Sequence, residues 1–148
     1  MNTQPDFEEL LRLLEQNEVR YMIVGGYAVA FHGHPRFTKD IDIFFISTDE
    51  NIVKVRRALR AFGFSDSEIP ESLFKEPGNV IKIGVSPVQI DLINKIDGVR
   101  FEEAETKVVR GKYGSIEVNF IGRDDLLYNK RASGRPQDRA DADILENE

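Results

Sequence analysis

The sequence contains no cysteine. A disulfide scaffold, a thiolate zinc site and a cysteine nucleophile are therefore excluded, and the absence fits a cytoplasmic location. No apolar run approaches the ~18 residues of a membrane-spanning helix. The longest candidate, Tyr21 to Phe31, is broken by Gly25 and Gly26, so no membrane association is expected. An excess of basic residues is also lacking. The 20 Lys and Arg are outnumbered by 26 Asp and Glu, a formal charge of −6, which disfavours a protein that coats nucleic acid. The first ten residues hold Asp6, Glu8 and Glu9 but no Lys or Arg, unlike a signal or transit peptide. The 11 Gly and 6 Pro show no period, so the chain is not collagen-like. What remains is ordinary globular composition, 41% hydrophobic and 31% charged over 148 residues. Such a length can bury roughly 70% of the unfolded chain's surface. We read residues 1–148 as one domain without repeats or linkers.

The hydrophobic pattern alternates between helical and extended segments. Phe7, Leu10, Leu11 and Leu14 recur at helical spacing over 5–18, with Pro5 suited to a first turn. Tyr21 to Val24 reads as a buried strand ended by Gly25-Gly26, followed by a short helix over 27–32. Asp40 to Phe45 reads as the next strand. Ser47 and Glu50 have capping-box spacing before a helix running to Phe62 and stopped by Gly63. Residues 65–78 read as a polar loop. Two strand-like runs, 80–85 and 88–93, meet at Ser86-Pro87. A short helix over 101–105 precedes a hairpin around Gly111 and Gly114, and helices near 124–132 and 137–146 close the chain. This order predicts an α+β fold with a mixed sheet flanked by helices.

The segment Gly25 to Phe45 carries the chemistry. In a strand, Asp40 and Asp42 share one face, about 7 Å apart, while Ile41 and Ile43 share the other. Two carboxylates on an otherwise apolar strand repel one another and are costly to desolvate unless cations neutralise them. Magnesium, which prefers hard oxygen ligands, suits that role; a solvated edge strand is the plainer alternative. Gly25-Gly26 between a strand and a helix offers unpaired backbone N–H groups that a phosphate can approach closely, although a tight turn alone has the same composition. Asp91 interrupts the apolar run Ile90-Asp91-Leu92. It is a candidate third acid, against the alternative of an edge strand with a wet face.

Gly25-Gly26, then Asp40-x-Asp42 in a strand, then Asp91 in a later strand resembles the polymerase-beta-like nucleotidyltransferase superfamily. The chain's shortness is similar to the minimal nucleotidyltransferase branch, which includes members paired in toxin–antitoxin systems. The likeness covers a catalytic core of about 20–95. The segment from Asn129 to Asp138, within the C-terminal hairpin and helices of 106–146, looks like the lysine and G-R-x-x-D stretch of related bacterial proteins. The resemblance implies a transferase that moves a nucleoside monophosphate from a nucleoside triphosphate, ATP above all, to an acceptor hydroxyl. Asp40, Asp42 and Asp91 would be the catalytic acids and would hold two Mg2+ ions. Gly25 and Gly26 would hold the β- and γ-phosphates, and Lys130 would contact the triphosphate. A catalytically idle protein that keeps the fold as an antitoxin-like docking module is the alternative.

Other residues stay open at this level. Arg36 and Thr38 precede the acidic strand and are candidate nucleotide contacts, Thr38 equally a turn residue. His32 and His34 flank Gly33. We read His32 as a helix C-terminal cation and His34 as a solvated turn residue rather than as metal ligands. Asp138 reads as structural, fixing Arg135 or capping the last helix. The acceptor remains a partner-protein hydroxyl, a tRNA end or a small molecule such as an aminoglycoside. With about fifty residues after Asp91, its site is expected to be shallow, shared with a partner or made across a homodimer.

Overall fold

The computed structural model describes residues 3–33, 38–84 and 89–147. The first helix, α1 (Pro5–Gln16), starts at Pro5 and buries Phe7, Leu10, Leu11 and Leu14 along one stripe. Strand β1 (Tyr21–Val24) is buried along its whole length and runs directly into α2 (Gly25–Phe31). Gly25 and Gly26 are thus the first residues of the helix, two positions earlier than the sequence pattern suggested. Strand β2 (Asp40–Phe45) leads to α3 (Asp49–Phe62). The N-cap of α3 is Thr48, whose hydroxyl accepts the Asn51 amide at 3.2 Å, so the expected Ser47–Glu50 capping box does not form. One residue decides that register, because Asn51 is pinned from both sides. It accepts the Arg20 amide at 2.8 Å and donates to the Arg20 and Ile46 carbonyls at 3.0 and 2.7 Å.

Residues 65–78 are more ordered than a polar loop. They hold a single 3-10 turn (Asp66–Glu68) and the four-residue α4 (Ser72–Lys75). Ile69 and Phe74 are buried in the core beneath them, and that burial holds the turns. Strands β3 (Val80–Ile83) and β4 (Gln89–Ile93) pair antiparallel; Ser86-Pro87, the expected junction, lies outside the described residues. Helix α5 (Phe101–Glu105) is followed by the hairpin β5 (Val109–Tyr113) and β6 (Ile116–Phe120). Gly111 sits inside β5, and Gly114, at φ 61°, makes the turn. Helices α6 (Arg123–Ser133) and α7 (Pro136–Glu146) close the chain.

The strands form one six-stranded mixed sheet in the order β3-β4-β2-β1-β6-β5. Alternation along each strand sends residues to opposite faces. Tyr21, Ile23, Ile41, Ile43, Phe45, Ile90 and Leu92 join one core cluster with α1 and α3. Met22, Val24 and Phe44 join the other with Phe101, Leu126 and Leu145 of the C-terminal half. Each fully buried aliphatic or aromatic side chain contributes about 1.5–3 kcal/mol relative to exposure. The two faces together hold the central strands rigidly. No described helix is long and apolar enough to cross a membrane.

Candidate active site

On the second face of the sheet the apolar surface stops short of the β2 N-terminus. There Asp40 and Asp42 project where Phe44 projects further along the strand. Strand β4 runs parallel to β2, with Asp42 directly opposite Asp91 and Asp40 opposite Gln89. This register puts the three acids on one face. On its other side Asp42 pairs with Val24, the last residue of β1, which brings it against the following glycine. A Cβ on Gly25 would lie 2.2 Å from Asp42 Oδ2, and Gly25 has φ +69°. Glycine is required there for two reasons: the left-handed backbone and the space taken by the carboxylate. Motif reading supplies only a third, the close approach of a phosphate.

These residues line a cleft of about 640 Å³. Val24, Gly25 and Gly26 form one wall. Asp40, Asp42 and Asp91 form the floor, with Lys82 on the β3 side. The opposite wall comes from the end of α6 and the start of α7, including Lys130, Arg135 and Asp138. The first N–H groups of α2 have no intrahelical acceptor and open at this wall. Burial, then the neighbouring Asp91 and Asp40 carboxylates, raise Asp42 to about 6, against a smaller opposing pull from Lys130. Asp42 is also within hydrogen-bonding reach of Asp91. Asp91 Oδ1 accepts Gln89 Nε2 at 2.6 Å and lies 3.6 Å from Lys82 Nζ.

A magnesium ion fits this donor set. Hard carboxylate oxygens share one face, and burial together with the neighbouring Asp91 and Asp40 carboxylates opposes the charge on Asp42, which a bound cation would relieve. Among the described residues, no group of three or more His, Asp or Glu side chains is already gathered as a metal cage.

Lys130 reaches the cleft, but its ammonium is already shared. It is 6% exposed and pairs with Asp138 at 3.0 Å and Asp141 at 3.3 Å. Asp138 also accepts Ser133 Oγ at 2.6 Å and Arg135 Nε at 2.9 Å, so its expected tie to Arg135 is present. Burial raises the Asp138 carboxyl, but its bonds to Ser133, Lys130 and Arg135 outweigh that and hold it below the usual carboxylate range. Thr38 stands just before β2, its carbonyl 3.5 Å from the Tyr27 hydroxyl, and is not among the residues lining the cleft. Arg36 and His34 lie outside the described residues. His32 ends α2 as expected, with Nε2 2.7 Å from the Ile121 carbonyl.

A family model described as a nucleotidyltransferase of unknown function (DUF6036) matches residues 6–147. The chain belongs to this nucleotidyltransferase family. Its fold is shared by solved structures of low sequence identity. A Thermotoga maritima protein described as a nucleotidyltransferase is 15% identical with a TM-score of 0.57, covering 99% of this chain and 94% of its own. The lincosamide antibiotic adenylyltransferase LnuA, solved with lincomycin, is 19% identical with a TM-score of 0.60, covering 99% and 98%. ANT(2")-Ia, solved with adenylyl-2"-tobramycin, is 14% identical with a TM-score of 0.59, covering 95% and 86%. No curated protein sequence matches the chain significantly.

Three features of this nucleotidyltransferase's site escaped the sequence reading. Gln89 on Asp91 was legible in principle, since residues two apart on a strand share a face. Lys82 opposite Asp91 depends on a β3–β4 register that only the fold sets. Asp141 as a second partner of Lys130 depends on how α7 packs on α6.

Proposed function

We propose that this nucleotidyltransferase moves a nucleoside monophosphate from a nucleoside triphosphate, ATP in the simplest case, to an acceptor hydroxyl with the help of two magnesium ions. One observation carries the reading. Asp40, Asp42 and Asp91 stand on one sheet face in the same cleft as the Gly25-Gly26 helix start.

The residues divide the work as follows. The N–H groups of Gly25 and Gly26 bind oxygens of the β- and γ-phosphates, with Arg135 and Lys130 on the facing wall. Arg36 and Thr38, before β2, are assigned to the nucleotide as well, Thr38 through the turn it sets. Asp40, Asp42 and Asp91 would hold the two magnesium ions, which would supply positive charge to the transferring phosphate and to the acceptor oxygen. Asp91 orients the acceptor hydroxyl and takes its proton, and Gln89 fixes Asp91 for that task. The acceptor oxygen forms its bond to the α-phosphorus as the bond from that phosphorus to the β-phosphate oxygen breaks, and pyrophosphate leaves. No protein nucleophile is needed, because positioning and charge stabilisation provide most of the catalysis. A small-molecule acceptor is favoured over a tRNA end or a partner protein. Two structures of the same fold were solved with lincomycin and with adenylyl-2"-tobramycin. A cytoplasmic location, where nucleoside triphosphates are held, follows from this reading.

Calorimetric titration of ATP with and without Mg2+ tests it. Binding should require Mg2+ and be lost in Asp40→Asn and Asp42→Asn. Equal affinity in wild type and both variants, with or without the metal, refutes the proposal.

A further inference from the structure

A second cavity, of about 560 Å³, lies next to the catalytic cleft. It sits at the C-terminal ends of the parallel strands β2 and β4, where ligands of α/β sheets commonly bind, and its volume is that of a small-molecule site. Lys95 and Ile96 line both cavities, so a single ridge separates them. The ridge is fixed in place. Ile96 and Val99 form a β-bridge. Asn129 donates to the Asp97 carbonyl at 2.9 Å. Gly98 packs so closely on α6 that a Cβ there would lie 2.7 Å from the Tyr128 ring.

The lining is divided about evenly between an apolar floor and a polar rim. Phe44, Ile46 and Phe101 supply the floor. Asn94 and Thr48 also border the cavity, but their side chains serve the fold: Asn94 bonds Gly78, Phe74 and Glu76, and Thr48 caps α3. The polar groups left for a ligand are Ser47, Lys95, Arg100 and Glu102; Arg100 also pairs with Glu103 at 3.5 Å, so the rim carries no surplus of acid. From Asp91 to Lys95 the chain spans four residues, about 13 Å if extended, which is the length of a drug-sized molecule.

We propose that this second cavity is the acceptor subsite. Its occupant is a small amphipathic molecule, with an apolar part for the floor and polar groups for the rim, that presents a hydroxyl over the ridge to Asp91 and is neutral or anionic rather than polycationic. The inference rests on the nucleotidyl-transfer reading above and deepens it. The nucleotide occupies the side formed by α2, α6 and α7, and the acceptor reaches the α-phosphate from the β4 side.

The experiment uses ATP labelled at the α-phosphate, the full chain, Mg2+, and an extract of the cells that make the protein. The extract is divided into small-molecule and macromolecular fractions. Two variants fill the cavity from different sides, Val99→Trp and Ser47→Leu, and thermal melts identify those that fold. The wild type should label a small molecule that is retained on a reversed-phase column and that, after phosphodiesterase treatment, does not elute as a polycation. Each folded variant should lower that labelling by about tenfold or more while keeping the Mg-ATP dissociation constant within about twofold. Label in macromolecules, a polycationic product, or undiminished labelling in the folded variants overturns the inference. A matching loss of Mg-ATP affinity also overturns it, by putting the nucleobase in this cavity. Mg-ATP binding without any labelled product removes the acceptor subsite and leaves the nucleotide site standing, whereas loss of metal-dependent ATP binding in the wild type removes the transferase reading itself.

Discussion

Replacing Asp42 by Asn should make the metal-free protein more stable while abolishing its activity. In the fold Asp42 keeps its proton up to about 6, against an ordinary 3.8, because burial and the Asp91 and Asp40 carboxylates oppose its charge. A group raised in this way contributes its full stability below the unfolded value and loses it as pH rises through the folded one. The window is therefore pH 4 to 6, across which the folded state binds more protons than the unfolded chain. A rise from 3.8 to about 6 corresponds to about 3 kcal/mol once the group is fully ionised. The cleft admits water, so about half of that is a reasonable lower expectation. Asn carries no charge to desolvate, and its amide can donate to Asp91. Urea or thermal unfolding in EDTA should then show the variant equal to wild type near pH 4 and more stable by about 1.5–3 kcal/mol at pH 8, a rise of several degrees in melting temperature. Millimolar Mg2+ should stabilise the wild type and narrow the gap, and leave the variant unchanged. A variant that is less stable at pH 8, or a difference that does not change with pH, would refute the claim that repulsion and desolvation are stored at this strand.

Three further outcomes follow from the same geometry. Gly25→Ala forces a Cβ against Asp42 at positive φ; it should cost about 1–2 kcal/mol from the backbone alone and depress transfer far more than Gly26→Ala does, as read by melts and transfer rates on the two variants. Lys130→Met removes the buried ammonium shared by Asp138 and Asp141 and leaves only Arg135 on Asp138; it should lose about 3–5 kcal/mol in urea unfolding, part of which Lys130→Met combined with Asp138→Asn should recover. Asp91→Ala should slow transfer by ~10² or more, the scale of a positioned base, with little change in Mg-ATP affinity; calorimetry and single-turnover rates read the two quantities separately.

The strands that matter were legible because their alternation is strict. Ile41, Ile43 and Phe45 on one side of Asp40 and Asp42 leave little choice of face, and Ile90 and Leu92 do the same for Asp91. Their pairing was a matter of topology, since nothing local to β4 says that it lies beside β2. The Thr48 cap was displaced by one residue because Asn51 is held by the neighbouring Ile46 and by Arg20, which is remote in sequence from the cap motif. The turns over 65–78 were hidden because polar residues surround Ile69 and Phe74, and only packing beneath α3 reveals why they fold. The resemblance pointed to Lys130 as a triphosphate contact. The fold shows a lysine bound to two buried acids, one of them a turn further along α7 and invisible to a count of local charges.

The neutralised Lys130 has a consequence for the order of events. The lining of the catalytic cleft holds five carboxylates, those of Asp40, Asp42, Asp91, Asp97 and Asp138, and four basic side chains, those of Lys82, Lys95, Lys130 and Arg135. A bare triphosphate, with its own multiple negative charges, would meet no surplus of positive charge among these described residues. On the proposed reading, the magnesium complex of the nucleotide would bring the missing cation with it and turn the same acids from a barrier into ligands. Assembly would then be ordered, metal with or before nucleotide, with the free metal concentration as the gate on the first step.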